Sequence, residues 1–248
     1  MKRIIIYLFL SIVAPVVSKA DNELLKGIEW ISPERTGITE IDALYDRADS
    51  LYECLHTFGD SVVYYDVKVV ANSDTGDTIV CVVDNNNNIR SPRLAFSQYS
   101  TATSYCMDLT KEILNVSVSV KDATPALKKL VKGISSNPIE AASTLLIFGG
   151  NSKKILKMCR IAGKSVKDML AKFKAQRKRI KSYNQWKENL SRENKDAKFI
   201  DNDIPDCPLD EDDVVLMNNE EYMAGLENAE REDGLISIEE MEAYESID

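Results

Sequence analysis

The chain has 248 residues, 44% of them hydrophobic and 29% charged, which is enough apolar material to bury a sizeable core without disulfide or metal staples. These proportions exclude collagen-like and disulfide-scaffold classes. A formal net charge of −9 argues against a nucleic-acid partner unless positive charge is gathered in one place.

The first twenty residues read as an export signal. Lys2 and Arg3 form a basic head, Ile4 to Val17 an apolar run interrupted by Pro15, and Ser18-Lys19-Ala20 puts small residues at the two positions a signal peptidase reads. The apolar run is shorter than the ~18 residues a spanning helix needs. Residues 1–20 are therefore expected to be removed, leaving an exported chain, periplasmic or secreted, that begins at Asp21. Losing Lys2, Arg3 and Lys19 takes the formal charge from −9 to −12. Residues 21–34 follow as a lead segment, and residues 35–194 as a globular α+β domain.

Between Thr39 and Thr57, Ile41, Leu44, Tyr45, Ala48, Leu51, Tyr52 and Leu55 recur at the spacing of one helical face. Thr39 and Asp42 are candidate caps at its start, and Gly59 a candidate stop. Two β-branched runs, Ser61 to Ala71 and Thr78 to Asp84, flank a polar stretch with a glycine and predict a β-hairpin over about 61–84. Asn85 to Asn88 suit a turn with left-handed geometry. Tyr99, Ala102, Cys106, Leu109, Ile113, Val116 and Val120 predict a further helix, although Leu114 to Val120 also alternates like a strand. Thr124-Pro125 and Asn137-Pro138 each place a capping side chain before a proline, with Glu140 completing a capping box, so two short helices are expected there. The second, Ile139 to Phe148, is nearly all apolar; it is expected to lie in the core and to stop at Gly149-Gly150.

A long heptad pattern then runs over 152–192, through Ile155, Cys159, Ala162, Val166, Met169, Phe173, Gln176, Ile180, Tyr183, Lys187 and Leu190. The same segment carries Lys153, Lys154, Lys157, Arg160, Lys164, Lys167, Lys172, Lys174, Arg177, Lys178, Arg179 and Lys181 against the single acid Asp168, a local net of +11. After Phe199 the balance inverts, with eighteen acids facing only Arg231. Residues 195–248 therefore read as an acidic, largely disordered tail. A basic amphipathic helix of this kind suits an anionic membrane surface, an acidic protein or nucleic acid, the last disfavoured by the net charge of the whole chain, and a tethered acidic tail is a nearby competitor for it.

Chemical motifs are sparse. His56 is the lone histidine, so multi-histidine zinc centres are excluded, and no local signature supports a triad built on it. Gly163-Lys164-Ser165 lacks the first glycine of a phosphate loop, since Met158 stands there. Cys54, Cys81, Cys106, Cys159 and Cys207 are too far apart in sequence for a C-x-x-C pair, and their odd number leaves at least one outside any internal disulfide set. Asn115-Val116-Ser117 and Asn189-Leu190-Ser191 are glycosylation sequons inside predicted helices.

Near the end, Asp233-Gly234-Leu235-Ile236-Ser237-Ile238-Glu239-Glu240 resembles the second half of an EF-hand calcium loop, with the glycine at the sixth position and a carboxylate at the twelfth. The resemblance implies metal ligation by Asp233, Ser237, Glu240 and the Leu235 carbonyl. Ala229 and Arg231 occupy the first and third positions, where the family carries oxygen ligands, so it implies weak calcium binding at most. Calcium is the one cofactor the sequence suggests.

The sequence thus predicts a predominantly helical α+β fold: one hairpin, a multi-helix body and a long C-terminal heptad-patterned helix. Its leading function is that of an exported, non-enzymatic interaction protein whose partner meets the basic helix or the acidic tail. A membrane-surface protein, a weak calcium binder and a carboxylate-dependent hydrolase are the alternatives. Mass spectrometry of secreted protein should find Asp21 at the N-terminus; recovery of Met1 would refute the removal of residues 1–20.

Overall fold

The computed structural model describes residues 22–134, 138–192, 204, 207, 209 and 214–235; the expected export signal at 1–20, Asn137, Ser237, Glu240 and most of residues 193–213 lie outside them. Among the described residues the protein is α+β and predominantly helical. It comprises α1 (Thr39–Ser61), β1 (Tyr65–Asn72), β2 (Thr78–Asp84), β3 (Ile89–Arg90), α2 (Pro92–Ile134), α3 (Pro138–Arg192), β4 (Val214–Met217) and α4 (Asn219–Asp233). Two compact units divide it: the first takes its residues from Met1–Val62 and Cys106–Met169, the second from Val63–Tyr105 and Leu170–Asp248.

In the first unit, α1 buries Ile41, Leu44, Tyr45, Ala48, Leu51 and Leu55. Ile38, not Thr39, is its N-cap and supplies no side-chain bond. Asp42 instead reaches back one turn and accepts the amides of Thr36, at 2.7 Å, and Gly37, at 3.0 Å. The lead segment is strapped along α1. Trp30 Nε1 and Ser32 Oγ donate to the Asp49 carboxylate, and Arg35 pairs with Asp49 at 2.8 Å and Asp46 at 2.6 Å. Burial alone would raise the Asp49 carboxyl, but the bonds from Arg35, Ser32 and Trp30 hold it below its ordinary value. Leu24 is buried at the start of this strap.

Helix α1 does not stop at Gly59 but runs on to Ser61. The glycine serves a different need: a Cβ there would lie 2.0 Å from Asn22 Oδ1. The Asn22 side chain fills that space, donating to the His56 carbonyl and Asp60 Oδ1 while accepting the Leu24 amide.

Two helix boundaries expected from the sequence are absent. Helix α2 passes through Pro125 as one element of 43 residues. Val116, Val120, Leu127 and Val131 are all buried and stay in helical phase across the proline, so continuous packing outweighs the hydrogen bond that proline removes. Thr124 turns its hydroxyl back onto the Val120 carbonyl, 3.0 Å away, rather than capping a new helix. The strand-like alternation of 114–120 resolves on the helix into buried Val116 and Val120 against exposed Leu114 and Val118. Helix α3 likewise carries Gly149-Gly150 within its 55 residues. Its first turns are not a core helix, since Phe148 is buried whereas Ile139, Leu146 and Ile147 are exposed.

The second unit is built on a sheet of order β3-β2-β1-β4. β1 and β2 form the expected hairpin, antiparallel from Tyr65↔Asp84 to Ala71↔Thr78. Asp84 organises the asparagine turn by accepting the amides of Asn86 and Asn88, and Asn87 adopts φ 62°. On one face, Tyr99 of α2 donates to the Tyr65 carbonyl and Tyr183 of α3 to that of Val80, while Phe173 stacks against Tyr99 with ring centres 5.4 Å apart. The other face packs Val70, Cys81, Val83, Ile89, Val215 and Met217 against Tyr222 of α4.

The expectation of an unstructured tail fails over residues 214–235. Val214–Met217 pairs in parallel with β1, from Val69↔Val214 to Asn72↔Met217, and α4 follows at once. A capping box starts α4: Asn218 Oδ1 accepts the Glu221 amide, and the Glu221 carboxylate accepts that of Asn218. Gly225 lets α4 close on β3, since a Cβ there would sit 3.1 Å from Ile89. Acidic composition hid an apolar strand and one apolar helical face from a reading based on charge.

Alanine for glycine inside a helix ordinarily stabilises by about 1 kcal/mol. Gly59→Ala should instead lower the melting temperature, because it evicts the Asn22 side chain. The same change in an Asn22→Ala background should be stabilising, and thermal denaturation of the four proteins would reveal this reversal of sign.

Candidate interaction surface

A helix that buries one stripe must turn its remaining residues outward, and α3 does so with its cations. Its buried stripe in the first unit is Ile155, Met158, Cys159, Ala162, Val166 and Met169. Opposite lie Lys153, Lys157, Arg160, Lys164 and Lys167, spaced by four, three, four and three, so that at 100° per residue they share a sector roughly 80° wide. All five are exposed, Lys154 is exposed on the flank, and no acid interrupts the helix between Lys153 and Lys167. At 1.5 Å per residue this cationic row is about 21 Å long.

The cations of α3 in the second unit divide differently. Lys174, Lys178 and Lys181 are exposed. Arg177 is buried with its guanidinium 4.8 Å from the Phe96 ring centre, and Arg179 pairs with Asp66 at 3.0 Å. Lys172 stands 6.0 Å above the Tyr64 ring. Arg177 and Arg179 thus serve the fold rather than an open surface, a correction to the sequence reading, which set all twelve cations together as an interaction set. Charge counting cannot separate the two groups; helical phase can, since Arg177 falls on the buried stripe one turn after Phe173.

Of the side-chain ligands implied by the calcium-loop resemblance, only Asp233 is described. It ends α4 and accepts a hydrogen bond from Ser91 Oγ. Residues 229–233, the first five positions of the loop, are helical, and Gly234 has φ −72°, an ordinary right-handed value. Among the described residues no three His, Cys, Asp or Glu side chains gather as a metal centre.

Beside Asp233, a polar clamp fastens α4 to the sheet. Arg90 lies between Asp84, at 3.0 Å, and Glu232, at 2.6 Å, and the second Glu232 oxygen accepts the Ser91 amide. Burial would lower the Arg90 pKa, but the two carboxylates outweigh it and raise it. Three carboxylates from two elements meet here, and each has a partner in Arg90 or Ser91, an arrangement suited to holding a helix. An open cleft of about 450 Å³ nearby is lined by Tyr64, Asp66, Lys68, Asp84 and Lys172. Its two carboxylates are held by Arg179 and Gln176 on one side and by Arg90 and Asn88 on the other.

His56 is half-exposed, with Nδ1 3.1 Å from Asp60. Burial pushes the thiols of Cys81 and Cys106 up to about 12 and also raises that of Cys159, which disfavours the nucleophilic thiolate. Among the described residues, which include all five cysteines, no disulfide forms. No protein-family model matches this chain, nor does any curated protein or any solved structure.

Arg90→Ala would leave Asp84, only 3% exposed, without its cation. It should cost about 2–4 kcal/mol and free α4 first. Hydrogen exchange should then accelerate over 219–233 before it does in β1 and β2.

Proposed function

We propose that this protein is a non-enzymatic binding protein, exported by its N-terminal signal, that engages a polyanionic partner through the outward face of α3 from Lys153 to Lys167. One observation carries this reading: five cations follow one another on a single exposed helical face, with no acid on the helix between the first and the last. A helix whose opposite stripe is already buried stands rigidly, so its charges form a fixed array instead of a fluctuating chain. Exposed ion pairs contribute up to about 1 kcal/mol each, and affinity from such a row is shared, cumulative and sensitive to salt.

Heparin chromatography tests the proposal. The full chain should be retained at low salt, and Lys157→Glu/Arg160→Glu/Lys164→Glu should elute much earlier, with affinity reduced on the order of tenfold or more. Circular dichroism should be unchanged, because all three positions are exposed. Equal elution of the two proteins would overturn the reading.

A further inference from the structure

The cationic row has an apolar end. Leu146 lies seven residues before Lys153 and fourteen before Arg160, so it shares their face, and Ile147 stands in the same relation to Lys154. Leu146 is 77% exposed and Ile147 56%. Gly149 and Gly150 separate them from the cations, and a Cβ at either would meet nothing within 4 Å. The outward side of α3 therefore reads, in order, aliphatic, bare and cationic.

We propose that the polyanion is the surface of an anionic lipid bilayer, on which Leu146 and Ile147 enter the headgroup layer while Lys153, Lys154, Lys157, Arg160 and Lys164 lie along the lipid phosphates. The inference rests on the function proposed above and names its partner. A membrane-surface helix normally immerses its long apolar stripe. In α3 that stripe is buried within the protein, so insertion is confined to the two aliphatic side chains and adhesion depends on charge. Five of the six cations from Lys153 to Lys167 are lysines, flexible point charges suited to a fluid array of phosphates, whereas a fixed carboxylate geometry favours the arginine fork. Aliphatic side chains at the head of such a row suit a medium with an apolar layer beneath its charges, which a soluble polyanion lacks.

Vesicle sedimentation and heparin elution, measured on the full chain, test this together. Wild-type protein should pellet with vesicles of phosphatidylcholine mixed with phosphatidylglycerol and stay in solution with phosphatidylcholine alone. Leu146→Ser/Ile147→Ser should weaken vesicle binding roughly tenfold and leave heparin elution unchanged, whereas Lys157→Glu/Arg160→Glu should weaken both. If wild type is retained by heparin yet ignores anionic vesicles, the bilayer proposal is overturned while the binding function stands, and an acidic protein becomes the partner; if the serine variant pellets like wild type, the insertion of Leu146 and Ile147 is overturned. Failure to bind either probe would overturn both.

Discussion

An α-helix that buries one stripe has no choice about its other side: a residue seven places on returns to nearly the same angle, and what is not buried faces out. Helix α3 is governed by this constraint. Ile155, Ala162, Val166 and Met169 are drawn inward, and the spacing of four and three that suits the buried stripe also aligns Lys153, Lys157, Arg160 and Lys164 on the opposite side. The cationic face is therefore a by-product of packing geometry acting on a sequence rich in lysine. The same phase sends Arg177 into the interior, where stacking on Phe96 and the long aliphatic stem make its burial tolerable.

The second unit shows how few contacts can decide the fate of a highly charged segment. Repulsion among the acids of 219–233 works against compaction, yet the segment folds. It has an apolar face in Tyr222, Leu226 and Ala229, a glycine where it crosses Ile89, and an arginine waiting beside a buried aspartate. Glu232 thereby ceases to be one more like charge and becomes the bond that closes the helix against the sheet.

What the sequence made legible follows from how local each signal is. The hairpin was readable because β-branched runs and a glycine turn are contiguous, and α1 because its apolar period is unbroken over four turns. The breaks at Pro125 and Gly149-Gly150 were misread because a local breaker was weighed without the phase of the stripe on either side, and Val131 and Phe148 keep that phase. The role of Gly59 depends on Asn22, which no window along the sequence connects to it. Strand β4 and helix α4 each carried a visible signal, the β-branched Val214-Val215 and the spacing of Asn218 and Glu221, but the surrounding aspartates set the expectation of a solvated tail. The exposed aliphatic end of α3 was taken for core because composition reports that a run is apolar, not whether anything covers it.

Strand β1 is hydrogen-bonded on one side to its immediate neighbour in the chain and on the other to residues made almost 150 positions later, with Val69 beside Val214. During synthesis the outer edge of β1 exists long before its partner does. The hairpin can close within microseconds, but the finished sheet must wait for nearly the whole chain to arrive. Until then an apolar strand presents open amides and carbonyls to whatever else is extended nearby. The order of translation thus leaves this edge open until almost the end, and a chain cut short before residue 214 would keep it open permanently.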